Sequence, residues 1–269
     1  MRDDLVFFGL QREPFGKHFQ VEDGWVEPSR EQALSRLVSA VTSRQHAIVT
    51  GEPGVGKTVA VRTLNAHLAD AHFRVVYVWN VSVGRRDFYR HLSIALGFEP
   101  KGTAAGVFEA IQRELRNGWV ESRVHPVLVI DEAHCLPDTT LQHLHVLTNF
   151  DMDSNPMLSL VLVGLPELKD RLKLGVHRSL LTRIGTHVEL ARTTPDDTAA
   201  FVRNRLEYAG ARADLFASDA MTTAHELTAG VPRVVGLLAD ACLRLAANKT
   251  ERLISRSTVR QAWHSLPMS

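Results

Sequence analysis

An eight-residue segment, GEPGVGKT from Gly51 to Thr58, has the pattern G-x-x-x-x-G-K-[ST]. Its glycines let the backbone curl tightly, so that successive N–H groups can point at one anion. A helix that begins near Lys57 would add the positive end of its dipole. Lys57 would reach the β- and γ-phosphates of a nucleotide, and the Thr58 hydroxyl would bind Mg²⁺. The predicted nucleotide contacts are Gly51, Glu52, Pro53, Gly54, Val55, Gly56, Lys57, Thr58 and Val59.

The segments on either side of this loop have the patterns that a phosphate-binding loop requires. The sequence AIVT at 47–50 is typical of a buried strand, and VAVRTLNAHL at 59–68 repeats apolar residues at helical spacing. The predicted order is therefore strand, loop and helix. This context favours a true phosphate site over a glycine-rich turn that matches the pattern by chance.

A second candidate segment is VLVIDEAH, residues 127–134. Four apolar residues followed by Asp131 and Glu132 are typical of a buried strand that ends in two carboxylates. Asp131 would hold Mg²⁺ through water, opposite Thr58, and Glu132 would polarise the attacking water as a general base. The letters DEAH also occur in a helicase signature. Such a helicase needs a second motor core, for which we expect no room in this chain, so we interpret that match as a coincidence.

The elements that position these residues alternate between strands and helices after residue 45, which predicts an α/β fold with a mostly parallel sheet covered by helices. We expect the helix at 85–96 to end at Gly97 and the helix at 104–117 to stop at Gly118. This P-loop domain is predicted to occupy residues 1–193. The predicted strands are 47–50, 73–79, 127–131, 158–164 and 187–190.

From Thr194 onward the sequence has no strand-like run, and we predict a small all-helical domain at 194–269. One helix should begin at Thr194-Pro195 and end at Gly210. Ser218 is expected to cap the next, which ends at Gly230. Two further helices are predicted at about 232–248 and 255–265.

The overall composition is that of a globular protein, with 269 residues, 45% of them hydrophobic, and a formal net charge of +1. This near-neutral balance indicates no particular partner. The two cysteines, Cys135 and Cys242, lack metal-site spacing and are expected to be reduced. The first residues do not resemble a signal peptide, and the longest apolar run is too short for a membrane span. We therefore expect a cytoplasmic protein without direct membrane insertion.

Several segments together give the chain a resemblance to the AAA+ ATPases, and within them to the ExeA/GspA-like group and the transposition ATPases of the TniB, TnsC and MuB kind. FFGLQREPFG at 7–16 resembles the N-terminal signature of the ExeA-like group. GEPGVGKT and VLVIDEAH correspond to the Walker A and Walker B elements. LTNFDMDSNPMLSLVLVGLPEL and TAGVPRVVGLLAD resemble the segment after Walker B and the lid motif of that group.

The resemblance implies ATP and Mg²⁺ as ligands, and ATP hydrolysis. Arg233 matches the sensor 2 arginine, which touches the γ-phosphate. Arg183 lies where an arginine finger for a neighbouring subunit is expected, with Arg178 as its rival. The position of the sensor 1 residue, normally polar, is taken by Gly164, and Asn149 is a weak substitute. Hydrolysis could therefore be slow, or another residue could place the water.

The resemblance also implies partners: a homo-oligomer in the form of a ring or filament, duplex DNA, and a transposase that is recruited or activated. Arg85, Arg86 and Arg90 form a cluster that would bind DNA phosphates without sequence preference, unless it is an ordinary solvated helix face. The alternatives are an ATPase that supports envelope secretion and a slow nucleotide-dependent assembly switch. Trp25 would border the adenine or pack in the core.

Overall fold

The computed structural model of the chain describes residues 2–16, 26–68, 72–211 and 214–267, without the side chains of Trp119 and Ser122. Trp25, considered above for the adenine, lies outside the described residues. The strands are β1 His46–Gly51, β2 Phe73–Val78, β3 His125–Ile130, β4 Ser159–Gly164 and β5 Ile184–Leu190. The helices are α1 Asp3–Phe8, α2 Pro28–Thr42, α3 Lys57–Leu68, α4 Arg85–Leu96, α5 Ala104–Ser122, α6 Asp138–Leu147, α7 Glu167–Lys173, α8 Arg178–Leu181, α9 Pro195–Tyr208, α10 Ser218–Thr228, α11 Pro232–Asn248 and α12 Arg256–His264.

The chain separates into two compact units. One comprises Met1–Glu31, Gly54–Gly56 and Ala191–Ser269, and the other comprises Gln32–Pro53 and Lys57–Leu190. The division into functional domains at 1–193 and 194–269 stays a prediction.

The larger unit is built on one five-stranded sheet with the order β2-β3-β4-β1-β5, in which every strand pair is parallel. All five strands predicted from the sequence are present, and the predicted α/β fold with a parallel sheet is confirmed. Strands β3 and β4 are buried along their whole length, because helices cover both faces of a parallel sheet. Since β4 lies between β1 and β3, its carboxyl end lies between the segments that follow those two strands.

The helices of this unit shield β3 and β4 from solvent. Phe88 and Leu92 of α4, Ile111 of α5 and Leu141 of α6 are fully or nearly fully buried in the same core cluster as those strands. The predicted end of α5 at Gly118 was wrong, because the helix continues to Ser122. A glycine inside a helix costs only about 1 kcal/mol relative to alanine, and the buried apolar face of α5 outweighs that cost.

The smaller unit is helical, and its core is formed by α9 to α12 together with residues from the N-terminal segment. Leu5 and Leu10 are buried in that core. The predicted cap of α10 was wrong: Ala217 is the N-cap and Ser218 is the first helical residue. The backbone of Ala217 is held just before the helix by a contact that the sequence does not show, because its N–H group donates to the Ile254 carbonyl at 3.0 Å. In the described part of the chain, no helix is long and apolar enough to cross a bilayer.

Candidate nucleotide site

The phosphate loop connects the end of β1 to the start of α3, as its pattern requires. Gly54 has φ +83° and Gly56 has φ +104°, which are conformations that L side chains rarely adopt. A Cβ on Gly54 would also lie only 3.0 Å from Val231 Cγ1 and 3.1 Å from Arg233 Cβ. The glycine at position 54 is therefore required by both its backbone conformation and its surroundings.

Lys57 is the first residue of α3, and its side chain is buried against the loop. Its ammonium group donates to the carbonyl oxygens of Gly51, at 2.8 Å, and of Glu52, at 3.1 Å. The positive charge is thus held at the rim of the loop, where a phosphate could exchange with these neutral acceptors. Thr58 and Val59 follow on the exposed side of the helix.

The two carboxylates lie directly beyond the end of β3. Asp131 is buried, and its Oδ1 accepts the Glu132 N–H at 2.9 Å. Glu132 has left-handed backbone angles, φ 52° and ψ 34°, and its side chain is 55% exposed. A non-glycine residue in this conformation costs of order 1 kcal/mol, and such strain is concentrated at functional sites. The turn separates the two carboxylates into one buried and one accessible group.

Tyr77 is a site residue that the sequence analysis missed. Its hydroxyl donates to Asp131 Oδ2 at 2.6 Å, from the neighbouring strand β2. Burial raises the pKa of the Tyr77 hydroxyl far above its usual range, and the bond to Asp131 acts in the same direction, so that the group remains a donor. The alternation of side chains along the strand could have indicated that Tyr77 lies on one face of β2. Its partner, however, depends on how β2 pairs with β3.

The strand order brings the phosphate loop and the carboxylates to one edge of the sheet. In the register of β1 with β4, Thr50 pairs with Gly164, and in that of β3 with β4, Ile130 pairs with Leu162. Gly164 is therefore level with Thr50 of β1. Because Leu162 pairs with Ile130, Gly164 is also level with Glu132, which lies two residues beyond Ile130. This edge is where open parallel sheets bind ligands.

Asn149, considered as a substitute for a polar residue at Gly164, lies elsewhere. Its Oδ1 accepts the Asp153 N–H at 3.2 Å, in the turn that precedes β4. Gly164 is the last residue of β4, which spans about 16 Å at 3.3 Å per residue. Asn149 is thus associated with the amino end of the strand that Gly164 terminates.

Arg183 immediately precedes β5, whose first residue pairs with His46 at the start of β1. It therefore lies at the amino edge of the sheet, opposite the phosphate loop. Its guanidinium forms an ion pair with Asp153 and donates to Thr148 Oγ1 at 3.3 Å. The rival, Arg178, is exposed at the start of α8.

Arg233 is the second residue of α11 and belongs to the same compact unit as Gly54. Its backbone N–H donates to the Gly54 carbonyl at 3.2 Å, and its side chain is exposed. The backbone of this predicted sensor therefore contacts the tip of the phosphate loop directly. This contact is made by the backbone of Arg233 and does not involve its guanidinium.

Arg85, Arg86 and Arg90 all lie on α4, the first two in its first turn and exposed. Two arginines at a helix N-terminus oppose the helix dipole, at a cost of about 0.3–1 kcal/mol each. A surface of this kind attracts anions.

The oxygen donors suit Mg²⁺, which prefers hard ligands and keeps several waters, so one or two protein groups suffice. The Thr58 hydroxyl and the Asp131 carboxylate are such donors. Each Asp131 oxygen accepts one hydrogen bond and retains a lone pair for a metal-bound water. Within the described residues there is no cluster of three or more His, Cys, Asp or Glu side chains that would hold a metal by itself.

Comparison with known proteins agrees with this geometry. Residues 40–172 match the AAA domain family AAA_22. General secretion pathway protein A of Aeromonas hydrophila is 30% identical over 240 residues, which are 88% of this chain and 44% of that protein. The chain thus spans less than half the length of this relative.

Solved structures share the fold at low sequence identity. The Aeropyrum pernix ORC1 protein in complex with DNA is 19% identical, with a TM-score of 0.66, over 89% of this chain and 66% of the other. Cdc6p from Pyrobaculum aerophilum is 19% identical, with a TM-score of 0.69, over 93% and 69%. The RuvB Holliday junction branch migration motor of Thermotoga maritima is 17% identical, with a TM-score of 0.63, over 96% and 74%.

The chain therefore has the P-loop AAA+ fold, a parallel sheet with flanking helices and a helical C-terminal part. The match over residues 40–172, the relative and the solved structures all agree with this fold. This fold implies nucleotide binding, usually with Mg²⁺, and nucleotide hydrolysis in general.

Proposed function

We propose that this protein binds ATP with Mg²⁺ and hydrolyses it, in the cytoplasm. The observation that carries the proposal is the common sheet edge: the loop after β1 and the carboxylates after β3 flank the end of β4. Lys57 exchanges the Gly51 and Glu52 carbonyls for phosphate oxygens. Thr58 and Asp131 hold the Mg²⁺, which neutralises phosphate charge when bound. Arg233 contacts the γ-phosphate from the start of α11.

Glu132 is the general base of the proposed reaction. Its carboxylate is accessible, so it can accept a hydrogen bond from a water molecule on the phosphate side, while the buried Asp131 is held by Tyr77. Burying one carboxylate and exposing the other gives the two groups different tasks. A positioned base of this kind contributes about 10²- to 10⁴-fold to the rate.

The test separates binding from chemistry. Glu132→Gln should bind a fluorescent ATP analogue like the wild type and lose at least about 100-fold in turnover. Lys57→Ala should bind at least about 10-fold more weakly, because one charged contact contributes about 1.5–3 kcal/mol. Glu114→Gln, an exposed glutamate on α5, is the control and should match the wild type. Turnover of Glu132→Gln within twofold of a measurable wild-type rate would refute the assignment. Wild-type turnover too slow to measure would favour the nucleotide-dependent switch.

We further propose a homo-oligomer, a ring or a filament, in which Arg183 acts on the nucleotide of a neighbour. Its place at the amino edge supports this, since it is remote from the phosphate loop of its own chain. Arg183→Ala keeps an intact nucleotide site, and Glu132→Gln keeps the arginine that would act on a neighbour's nucleotide. Mixing the two variants should therefore restore turnover. Neither variant alone should be active. If Arg178→Ala rather than Arg183→Ala complements in this way, the finger is Arg178.

The proposed role of the oligomer is a DNA-associated transposition helper that recruits or activates a transposase. The arginines of α4, of which Arg85 and Arg86 are exposed, support duplex DNA as a partner, and one protein of the same fold is solved in complex with DNA. Replacing Arg85, Arg86 and Arg90 with alanine should weaken DNA binding and reduce its salt dependence. Arg113→Ala, another exposed arginine, should leave both unchanged.

The second candidate is an ATPase that supports envelope secretion. The likeness to General secretion pathway protein A over 88% of this chain favours it. Negative-stain images with a slowly hydrolysed ATP analogue distinguish the two. Rings or filaments that form only with duplex DNA support the transposition role. Particles that form equally without DNA support the secretion role.

A further inference from the structure

The end of β4 has no side chain, yet the space beside it is filled. A Cβ built on Gly164 would lie 3.2 Å from the backbone nitrogen of His134 and 3.3 Å from its Nδ1. The Leu168 side chain would be 3.1 Å away. The imidazole of His134 therefore packs directly on Gly164, at the level of the sheet edge where the candidate site lies.

The same ring nitrogen faces the proposed general base. Nδ1 of His134 is 3.4 Å from Glu132 Oε2 and 3.4 Å from the backbone nitrogen of Leu165. His134 thus connects the backbone just beyond β4 with the carboxylate beyond β3. Its side chain is only 13% exposed, whereas that of Glu132 is 55% exposed. The more fixed group of this pair is the imidazole.

The backbone of His134 is itself anchored. Arg171 of α7 donates to the His134 carbonyl at 2.5 Å and to the Leu136 carbonyl at 2.8 Å. The turn Ala133–Cys135, which carries the imidazole, is therefore held from both ends, by β3 and by Arg171. A side chain on an anchored turn can fix the direction of a mobile neighbour.

We propose that His134 is a positioning residue for Glu132 and takes the place of the polar side chain that Gly164 lacks. This inference rests on the proposed role of Glu132. With its proton on Nδ1, the imidazole donates to Glu132 Oε2 and directs the carboxylate toward the end of β4. With its proton on Nε2, Nδ1 accepts the Leu165 N–H, and the carboxylate is free to bind water. Catalytic hydrogen bonds are often long before the nucleotide is bound.

The packing also accounts for the glycine. A side chain at position 164 would need the space that the His134 imidazole occupies. The chain can therefore have a polar group either at position 164 or at the position of this imidazole, but not at both. The residues Gly164 and His134 are 30 positions apart in the sequence, and the pairing of β3 with β4 brings them together.

The test compares turnover with nucleotide affinity. His134→Ala should lower kcat about 10- to 100-fold, as expected when a reacting group is misplaced, with the Kd for an ATP analogue within twofold of the wild type. His134→Asn can place an amide near the position of Nδ1 and should recover most of the lost kcat. His264→Ala, on the exposed side of α12, is the control and should change neither quantity. Urea unfolding of each variant establishes that it is folded.

Measuring Glu132→Gln beside these variants separates the two proposals. An inactive Glu132→Gln with a fully active His134→Ala would overturn the role of His134 and leave the ATPase proposal intact. An active Glu132→Gln would overturn the assignment of Glu132 as the general base, and with it the role of His134, whereas ATP hydrolysis by the protein would stand. A loss in His134→Ala that His134→Asn does not recover in the folded protein would also overturn positioning, because packing alone would then explain it.

Discussion

Replacing Arg171 tests whether the turn after β3 depends on one side chain. The side chain of Arg171 is 26% exposed, and its guanidinium has three acceptors: the carbonyls of His134 and Leu136 and the carboxylate of Asp138. Removing it in Arg171→Ala leaves both carbonyls without this donor. The same change releases the turn that carries His134.

The magnitude follows from the acceptors. A charged donor to each of two part-buried carbonyls contributes about 1 kcal/mol or more. The pair with Asp138 adds less than about 1 kcal/mol, because that carboxylate is 59% exposed. We expect Arg171→Ala to lower the free energy of unfolding by about 3 kcal/mol. Arg171 also holds the pKa of Asp138 below its usual value, so that pKa should rise in the variant.

The assay is urea unfolding followed by circular dichroism, with carboxyl pKa values from NMR titration. Lys173→Ala is the matched control on the same helix, since the ion pair that Lys173 forms among the described residues is with the exposed Asp170, three positions before it. It should lose much less stability than Arg171→Ala, because an ion pair between exposed side chains contributes little. Equal losses in the two variants would refute the reasoning that Arg171 anchors the turn.

Three further changes address other parts of the chain. Thr194→Ala removes a capping box on α9 and should lower the free energy of unfolding by about 1 kcal/mol in urea titration, with no loss meaning that the cap is dispensable. Gly230→Ala should destabilise far more than Gly9→Ala in the same assay, although both have positive φ, because only the Cβ at 230 would meet the Thr193 carbonyl, at 2.3 Å. Burial lowers the pKa of His125 from 6.5 to about 4, so the unfolded chain binds the proton first as the pH falls. Stability should drop by about 2.5 kcal/mol between pH 6.5 and 4, and this part of the slope should be absent in His125→Gln.

The elements that the sequence predicted well are those with local signals. The strands at 47–50 and 127–131 are short apolar runs next to turn residues, and both are present within a few residues. The phosphate loop is a contiguous motif, so its glycines, its lysine and its flanking elements follow from one segment. Helix ends were less certain where a local signal competed with packing, as at Gly118, where burial of one helix face extends α5.

The elements that the sequence could not predict depend on strand order. Tyr77 contacts Asp131 only because β2 pairs with β3, and His134 contacts the end of β4 only because β4 pairs with β3. Neither residue belongs to a spacing pattern. A single sequence shows that His134 follows two carboxylates, but not which strand end its ring will cover.

The amino edge of the sheet contains a second strained segment. Asp151, Met152 and Asp153 are consecutive non-glycine residues with positive φ, at about 1 kcal/mol or more each. Ion pairs from Arg116 to Asp151 and from Arg183 to Asp153 hold this turn, while Met152 is 95% exposed at its tip.

This turn bears on the proposed action of Arg183 in a neighbour's site. The pair with Asp153 is half exposed on the carboxylate side, so breaking it costs little, about 1 kcal/mol or less. Releasing Arg183 would also let the strained turn relax, which offsets part of that cost. A neighbouring subunit that offers phosphate charge could therefore take the arginine from Asp153 with little penalty. Asp153→Asn should then make turnover less dependent on protein concentration. Asp151→Asn, which affects the contacts with Arg116 and Asn155 and leaves the Arg183 pair in place, should not.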